Sequence, residues 1–145
     1  MVLSFGEVLM DCFPHKNVIG GAPFNVVIHL KRMGEDSAII SKIGKDELGD
    51  EILDFLVKEN VDSKIQIDDS YKTGYVTVKL ENGQPSYTIH RNTGWEFVDY
   101  KENTDQPDYF VFGSLAARAA SKKALQSFLK VSKFSVFDLN LRPPF

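Results

Sequence analysis

Gly20-Gly21-Ala22-Pro23-Phe24-Asn25 sets two residues without side chains, a proline and an amide at the entrance to an apolar helical run. Glycine lets a ligand approach the backbone closely, proline suits the first helical position, and the free N–H groups of a new helix favour oxygen-rich ligands. Upstream, Gly6-Glu7-Val8-Leu9-Met10-Asp11 ends a strand-like run in a carboxylate. A carboxylate accepts from two neighbouring hydroxyls at once, and Asn25 both donates and accepts, so the two suit a sugar diol. Downstream, Asp138-Leu139-Asn140-Leu141-Arg142-Pro143-Pro144 carries a further apolar strand into an amide and a guanidinium fork able to hold phosphate oxygens. All three stretches are expected where strands end, the usual ligand position in an open α/β sheet. Taken singly, Asp11 also fits an aspartate ordering its own turn, and Asn140 and Arg142 a polar terminal loop.

The elements that must position these groups follow a β-α-β-α rhythm. Val2 to Phe5 is an apolar run with the character of a buried first strand. Ala22 to Met33 has apolar residues at helical spacing, Pro23 at its start and Gly34 as its stop. A strand is expected over Ser37 to Lys42, and Asp46 is placed to cap a helix in which Leu48, Ile52, Phe55 and Leu56 recur on one face. Such an order predicts a parallel sheet with crossover helices.

Between about Ile65 and Trp95 the rhythm breaks. Gly74 to Leu80 and Ser86 to Arg91 are rich in Val, Thr, Tyr and Ile, and the Asn82-Gly83 pair between them signals a hairpin, so an antiparallel insertion is expected. Aromatic residues there, Tyr75, Tyr87 and Trp95, fit cross-strand packing as well as ligand contact. The α/β order then resumes with a strand over Tyr109 to Gly113, a helix over Ala119 to Lys130 and a last strand over Phe134 to Asp138.

Composition narrows the function classes. With 145 residues, 43% hydrophobic and 26% charged, the chain is an ordinary globular sequence long enough for one core. A net charge of -3, with 17 basic residues scattered among 20 acidic ones, offers no basic stripe for nucleic acid or an anionic membrane. No stretch approaches the roughly 18 apolar residues of a membrane helix. The single cysteine, Cys12, suits a reducing compartment, and a cytoplasmic location is expected. His15, His29 and His90 lack zinc-site spacing, and no dinucleotide fingerprint or Walker-type loop is present.

Taken together, Gly6 to Asp11, Gly20 to Asn25, Lys42 to Gly49, Thr73 to Arg91, Phe112 to Leu115 and Asp138 to Pro144 resemble the ribokinase-like (phosphofructokinase-B type) sugar kinases, most closely the fructokinase branch. The resemblance implies a Rossmann-type parallel sheet with crossover helices and a small antiparallel β lid, built from about 12–19 and 71–95. It implies that Asp11, Gly20, Gly21 and Asn25 line a sugar site, that Tyr87 and Arg91 on the lid cover it, and that Asn140 and Arg142 lie near the phosphoryl-transfer path. ATP with Mg²⁺ would be the phosphoryl source, and pairing of two lids would give a homodimer. The family's catalytic aspartate and nucleotide-binding groups belong to a Gly-Ala-Gly-Asp motif that these residues lack, so the sequence resembles the N-terminal half of such a kinase and is expected to be inactive by itself. A non-catalytic sugar-binding or regulatory protein keeping Asp11, Gly21 and Asn25 is the alternative.

Overall fold

In the computed structural model, which describes residues 1–81, 84–99 and 106–140, the central strand is the first one. β1 (Val2–Phe5) lies between β4 (Ser37–Gly44) and β8 (Tyr109–Gly113), both parallel to it, in a five-stranded sheet completed by β5 (Asp62–Asp68) and β9 (Phe134–Asp138) in the order β5-β4-β1-β8-β9. Leu3 and Phe5 are wholly buried, and β4 is buried along its length, as strands covered on both faces must be. Sequence alone gave no strand over β5. Its Asp-Ser-Lys-Ile-Gln-Ile-Asp pattern is that of a half-exposed edge strand, with the apolar signal diluted by charge.

Alternation along the strands sorts the core into two layers. Leu3, Phe5, Ala38, Ile40 and Phe110 pack against Ala116 of α3 (Ser114–Arg118) and Leu125 and Phe128 of α4 (Lys122–Val131). Ile39 and Ile43 point the other way, onto Phe24, Val27 and Ile28 of α1 (Ala22–Arg32) and Ile52 and Leu56 of α2 (Glu47–Lys58). The helix expected over 119–130 starts later and is preceded by α3. Ala119 turns extended, and the buried Ser121 hydroxyl donates to the Trp95 carbonyl and accepts from the Val98 N–H, both at 2.8 Å. That clamp fixes where α4 begins.

A second sheet has the order β3-β2-β6-β7, formed by β2 (Leu9–Phe13), β3 (Lys16–Gly20), β6 (Gly74–Glu81) and β7 (Gln84–Ile89). The expected antiparallel character holds for β2 with β3 and for β6 with β7, but β2 and β6 run parallel, so the sheet is mixed. The chain enters β2 from the carboxyl end of β1 and β6 from the carboxyl end of β5, and strands leaving one edge in the same direction meet side by side. The Asn82-Gly83 turn and Pro143 to Phe145 lie outside the described residues.

Where the chain passes from β5 to β6, a compact set of hydrogen bonds anchors it. Asp46 caps α2 by accepting from the Gly49 N–H at 2.9 Å, and also accepts from the Thr73 hydroxyl at 2.6 Å and the Thr73 N–H at 2.9 Å. The same hydroxyl accepts from the Gly44 N–H at 3.0 Å. Partial burial pushes the Asp46 carboxyl upward, but these donors outweigh it and leave the group below its ordinary value. Ionised Asp46 therefore contributes stability that is present above the unfolded carboxylate pKa and lost as pH falls through the lower folded one. Asp46→Ala is expected to cost about 1–3 kcal/mol near pH 7. Urea unfolding at a series of pH values should show the gap from wild type narrowing as the solution becomes strongly acidic.

Candidate functional site

The Gly20–Gly21 turn is where the second sheet hands the chain back to the first. Pairing of β2 with β3 sets Leu9 opposite Gly20 and Asp11 opposite Val18, and a Cβ built on Gly20 would lie 2.8 Å from Asp11 Oδ2. Glycine is thus what lets the carboxylate lie flat on the turn. Gly21, with φ 113° and ψ 128°, occupies the N-cap of α1, and its Cβ position would overlap the carbonyl oxygen of Glu7. No side chain of the turn caps the helix; instead Glu7 reaches across, its Oε1 accepting from the Ala22 N–H at 3.3 Å. Asn25 sits one turn into α1, its side chain exposed and its own N–H bonded to the Gly21 carbonyl at 2.9 Å.

Asp11 lies in the middle of β2, not at the end of a parallel strand as its place in the sequence suggested. Burial pushes its carboxyl above the ordinary value, and no hydrogen bond from a described residue reaches it. A half-buried carboxylate with open acceptor capacity is costly to fold and well suited to bind donors.

Register decides which other side chains share its face. Asp11 is aligned with Val76, Val76 with Ile89, and Val78 with Tyr87, so Asp11, Leu9, Val76, Val78 and Tyr87 project to one side of the small sheet. Tyr75 projects to the other, where it stacks on His90 with centroids 4.0 Å apart, while His90 Nε2 meets the Thr77 hydroxyl at 2.9 Å. Tyr75 and Tyr87 therefore cannot cover the same ligand, as the sequence reading grouped them. Tyr87 is exposed, and Arg91 is exposed with its Nε 3.1 Å from the buried Glu96, whose other oxygen accepts from the Thr93 N–H at 3.1 Å. Trp95 is buried against Gly74, in keeping with the packing role expected for it.

Glu7 is the group that sequence reasoning passed over. It is 3% exposed, its Oε2 is buried without a hydrogen-bond partner among the described residues, and burial, reinforced by the negative charge of Asp138, raises its carboxyl to about 7 despite the bond from the Ala22 N–H. An acidic residue just past an apolar strand, after the single glycine Gly6, was the available signal. Asp138 ends β9, two strands from β1, and Asn140 follows it with a left-handed φ of 33°. Arg142 lies outside the described residues. A hollow of about 630 Å³ is found elsewhere, between Lys45, Asp46, Lys72 and Tyr75; of the lid and sugar-site candidates it holds Tyr75 but not Asp11, Gly20, Gly21, Asn25, Tyr87 or Arg91, and the acceptors of Asp46 are already taken.

The model of the family described as pfkB family carbohydrate kinase matches residues 2–145. The chain belongs to the pfkB carbohydrate kinases. It is similar to an uncharacterized sugar kinase, PH1459, from Pyrococcus horikoshii, at 31% identity over 168 residues, covering 98% of this chain and 52% of that one. It is also similar to fructokinase-2 of Solanum lycopersicum, at 29% identity over 99% of this chain and 51% of the relative. The solved structure of PH1459 in complex with ATP superposes with a TM-score of 0.87 at 30% identity, over 98% of this chain and 54% of that chain. Fructokinase from Vibrio cholerae O395, at 24% identity with a TM-score of 0.84 over 99% of this chain and 54% of that one, shares the fold. The pfkB chain thus spans about half the length of the relatives it matches, and its α/β architecture is that of the ribokinase-like sugar kinases.

Two glycines of this pfkB chain with positive φ give a clean contrast. Gly34, at φ 85°, has open space around its Cβ position, whereas Gly21 has the Glu7 carbonyl there. Gly34→Ala is expected to lose only about 1 kcal/mol of stability, through added backbone strain, and Gly21→Ala to lose roughly 3 kcal/mol or more, through that strain plus a backbone displacement. Thermal unfolding of the two variants checks the ordering.

Proposed function

We propose that the protein phosphorylates a small sugar, moving the γ-phosphoryl group of ATP to a sugar hydroxyl, and that these residues supply the sugar-binding part. Fructose is the leading substrate, with 2-keto-3-deoxygluconate and ribose behind it. The observation that carries this reading is the Asp11 carboxylate, half-buried, without a donor among the described residues, and laid against Gly20 at the turn into α1. Two adjacent hydroxyls supply the donors it lacks, Asn25 completes the set from the first turns of α1, and Gly20 leaves the carboxylate room to sit against the turn.

In this reading the small sheet acts as a lid formed from about 12–19 and 71–95. Tyr87, on the same face as Asp11, covers the sugar, and Arg91, steadied by Glu96, closes its margin, limiting access of water during transfer. Phosphoryl transfer depends mainly on positioning and charge stabilisation, so holding one hydroxyl still is a substantial share of the work. Asn140, just past β9, and Arg142 would stand near the transferring group. The base that deprotonates the hydroxyl, and the groups that hold ATP, are in this reading outside these 145 residues, which alone are expected to be inactive. Mg²⁺ would accompany the nucleotide.

The apolar side chains Val18, Tyr87 and Ile89, exposed on the small sheet, suit pairing with a second copy, and a homodimer through the lid is part of the proposal. The enzyme would act in the reducing cytoplasm, where a lone thiol such as Cys12 persists.

ADP release by the full-length protein, measured with fructose, 2-keto-3-deoxygluconate and ribose, tests the activity; no ATP-dependent phosphorylation of any of them would count against it. Asp11→Asn separates function from folding. It is expected to raise the sugar KM by about 10- to 100-fold through loss of charge-assisted bonds, while stability at neutral pH stays level or rises. The sign follows from the raised carboxyl: ionised Asp11 opposes folding above its unfolded pKa.

A further inference from the structure

Resting on the sugar-site reading above, we propose that Glu7 is a positioning residue of that site, holding the Gly20–Gly21 turn and the first N–H of α1 in the arrangement that presents Asp11, and that ionisation of Glu7 loosens this hold and weakens sugar binding. Glu7 meets the turn through both its backbone and its side chain. Its carbonyl oxygen fills the space where a Gly21 Cβ would stand, its Cγ lies 3.4 Å from that point, and its Oε1 accepts from Ala22 N–H. Gly20, the other half of the turn, is the residue on which the Asp11 carboxylate rests. A shift of Glu7 is thus transmitted through two adjacent glycines to the proposed diol-binding oxygens.

The two oxygens of Glu7 are unequal. Among the described residues, Oε1 has one rather long hydrogen bond and Oε2 is buried with no partner. A neutral carboxyl suffers less in that environment, its carbonyl oxygen serving Ala22 and its uncharged hydroxyl costing far less to bury than a charge. A carboxylate does not, because a buried charge needs several donors and is here offered few.

Among the described residues, the first turn of α1 contributes backbone N–H groups and no acidic side chain, β9 contributes the carboxylate of Asp138, which repels a charge on Glu7, and β2 carries Asp11 on the other side of the glycine turn. The helix N-terminus alone would favour ionisation; burial and Asp138 prevail, which places the titration near neutrality. Ionised Glu7 must then turn toward water, leaving the Ala22 N–H and the glycine turn without support.

Glu7→Gln keeps the shape and the acceptor for Ala22 and cannot ionise, so it separates positioning from mere packing. In the full-length protein labelled with ¹⁵N-alanine, the Ala22 amide resonance is expected to titrate with a midpoint near 7 and to be flat in Glu7→Gln. Calorimetric titration without ATP, using whichever of fructose, 2-keto-3-deoxygluconate and ribose binds most tightly, is expected to show affinity falling roughly fivefold from pH 6 to pH 8.5 in wild type. Glu7→Gln should hold the low-pH affinity throughout, while Glu7→Ala should be weak at every pH. A flat Ala22 resonance in wild type, the same pH profile in Glu7→Gln, or tighter sugar binding at high pH would each overturn the positioning role and leave the sugar site standing. Absence of binding to all three sugars at every pH, with Ala22 still titrating, would overturn the sugar-site reading and this role together.

Discussion

The constraint on which the structure depends is the burial of β1 between two parallel neighbours. Leu3 and Phe5 contribute to one face of the sheet while Ile39, beside them on β4, contributes to the other, so β1 can neither bend nor stop early without opening both layers of core. The chain can leave only at the carboxyl edge, at Gly6, where φ of 143° and the approach of Pro23 allow no side chain. From there it climbs directly into β2. The second excursion, from β5 into β6, leaves the same edge, and the parallel pairing of β2 with β6 follows from that shared origin. The small sheet therefore stands over the edge of the large one where strand ends and helix N-termini converge, because two buried strands release the chain on the same side.

Much of this was legible in the sequence. The apolar runs of β1, β4, β8 and β9, the Pro23 start of α1 and the Asp46 cap of α2 report local preferences that the tertiary structure does not override. The losses have physical causes. β2 and β3 are short, and their Met, Cys, Lys and Asn residues show no clean alternation, because one face packs on the α1–α2 core and the other carries Asp11. The break between α3 and α4 rests on Ser121 bonding to Trp95 and Val98, contacts more than twenty residues away that no local pattern announces. Asp11 was found by residue type and proximity to the glycines, but its place within a strand follows from pairing with Val18 and Val76. Glu7 was missed because a lone glutamate after a strand reads as a surface residue until the glycine turn is folded onto it.

Three carboxylates near these strand ends show how acceptor capacity separates structural from functional roles. Asp46 receives hydrogen bonds from Gly49 and from both the backbone and hydroxyl of Thr73. Its capacity is used up within the protein, its carboxyl is held low, and what it does is anchor the passage into β6. Asp11 and Glu7 are displaced the other way, burial lifting both above their ordinary values with too few donors in return. Evenly optimised folding would have paired or replaced them, since an unpaired buried carboxylate costs more than an apolar side chain of similar size. That cost falls at a single place, on the two sides of the Gly20–Gly21 turn. Asp11 lies against Gly20 and Glu7 against Gly21, so one short piece of backbone joins the two. The saturated carboxylate outside the turn anchors the passage into the small sheet, and in the proposed reading the two unsaturated ones would make the turn responsive to a ligand rich in hydroxyl donors.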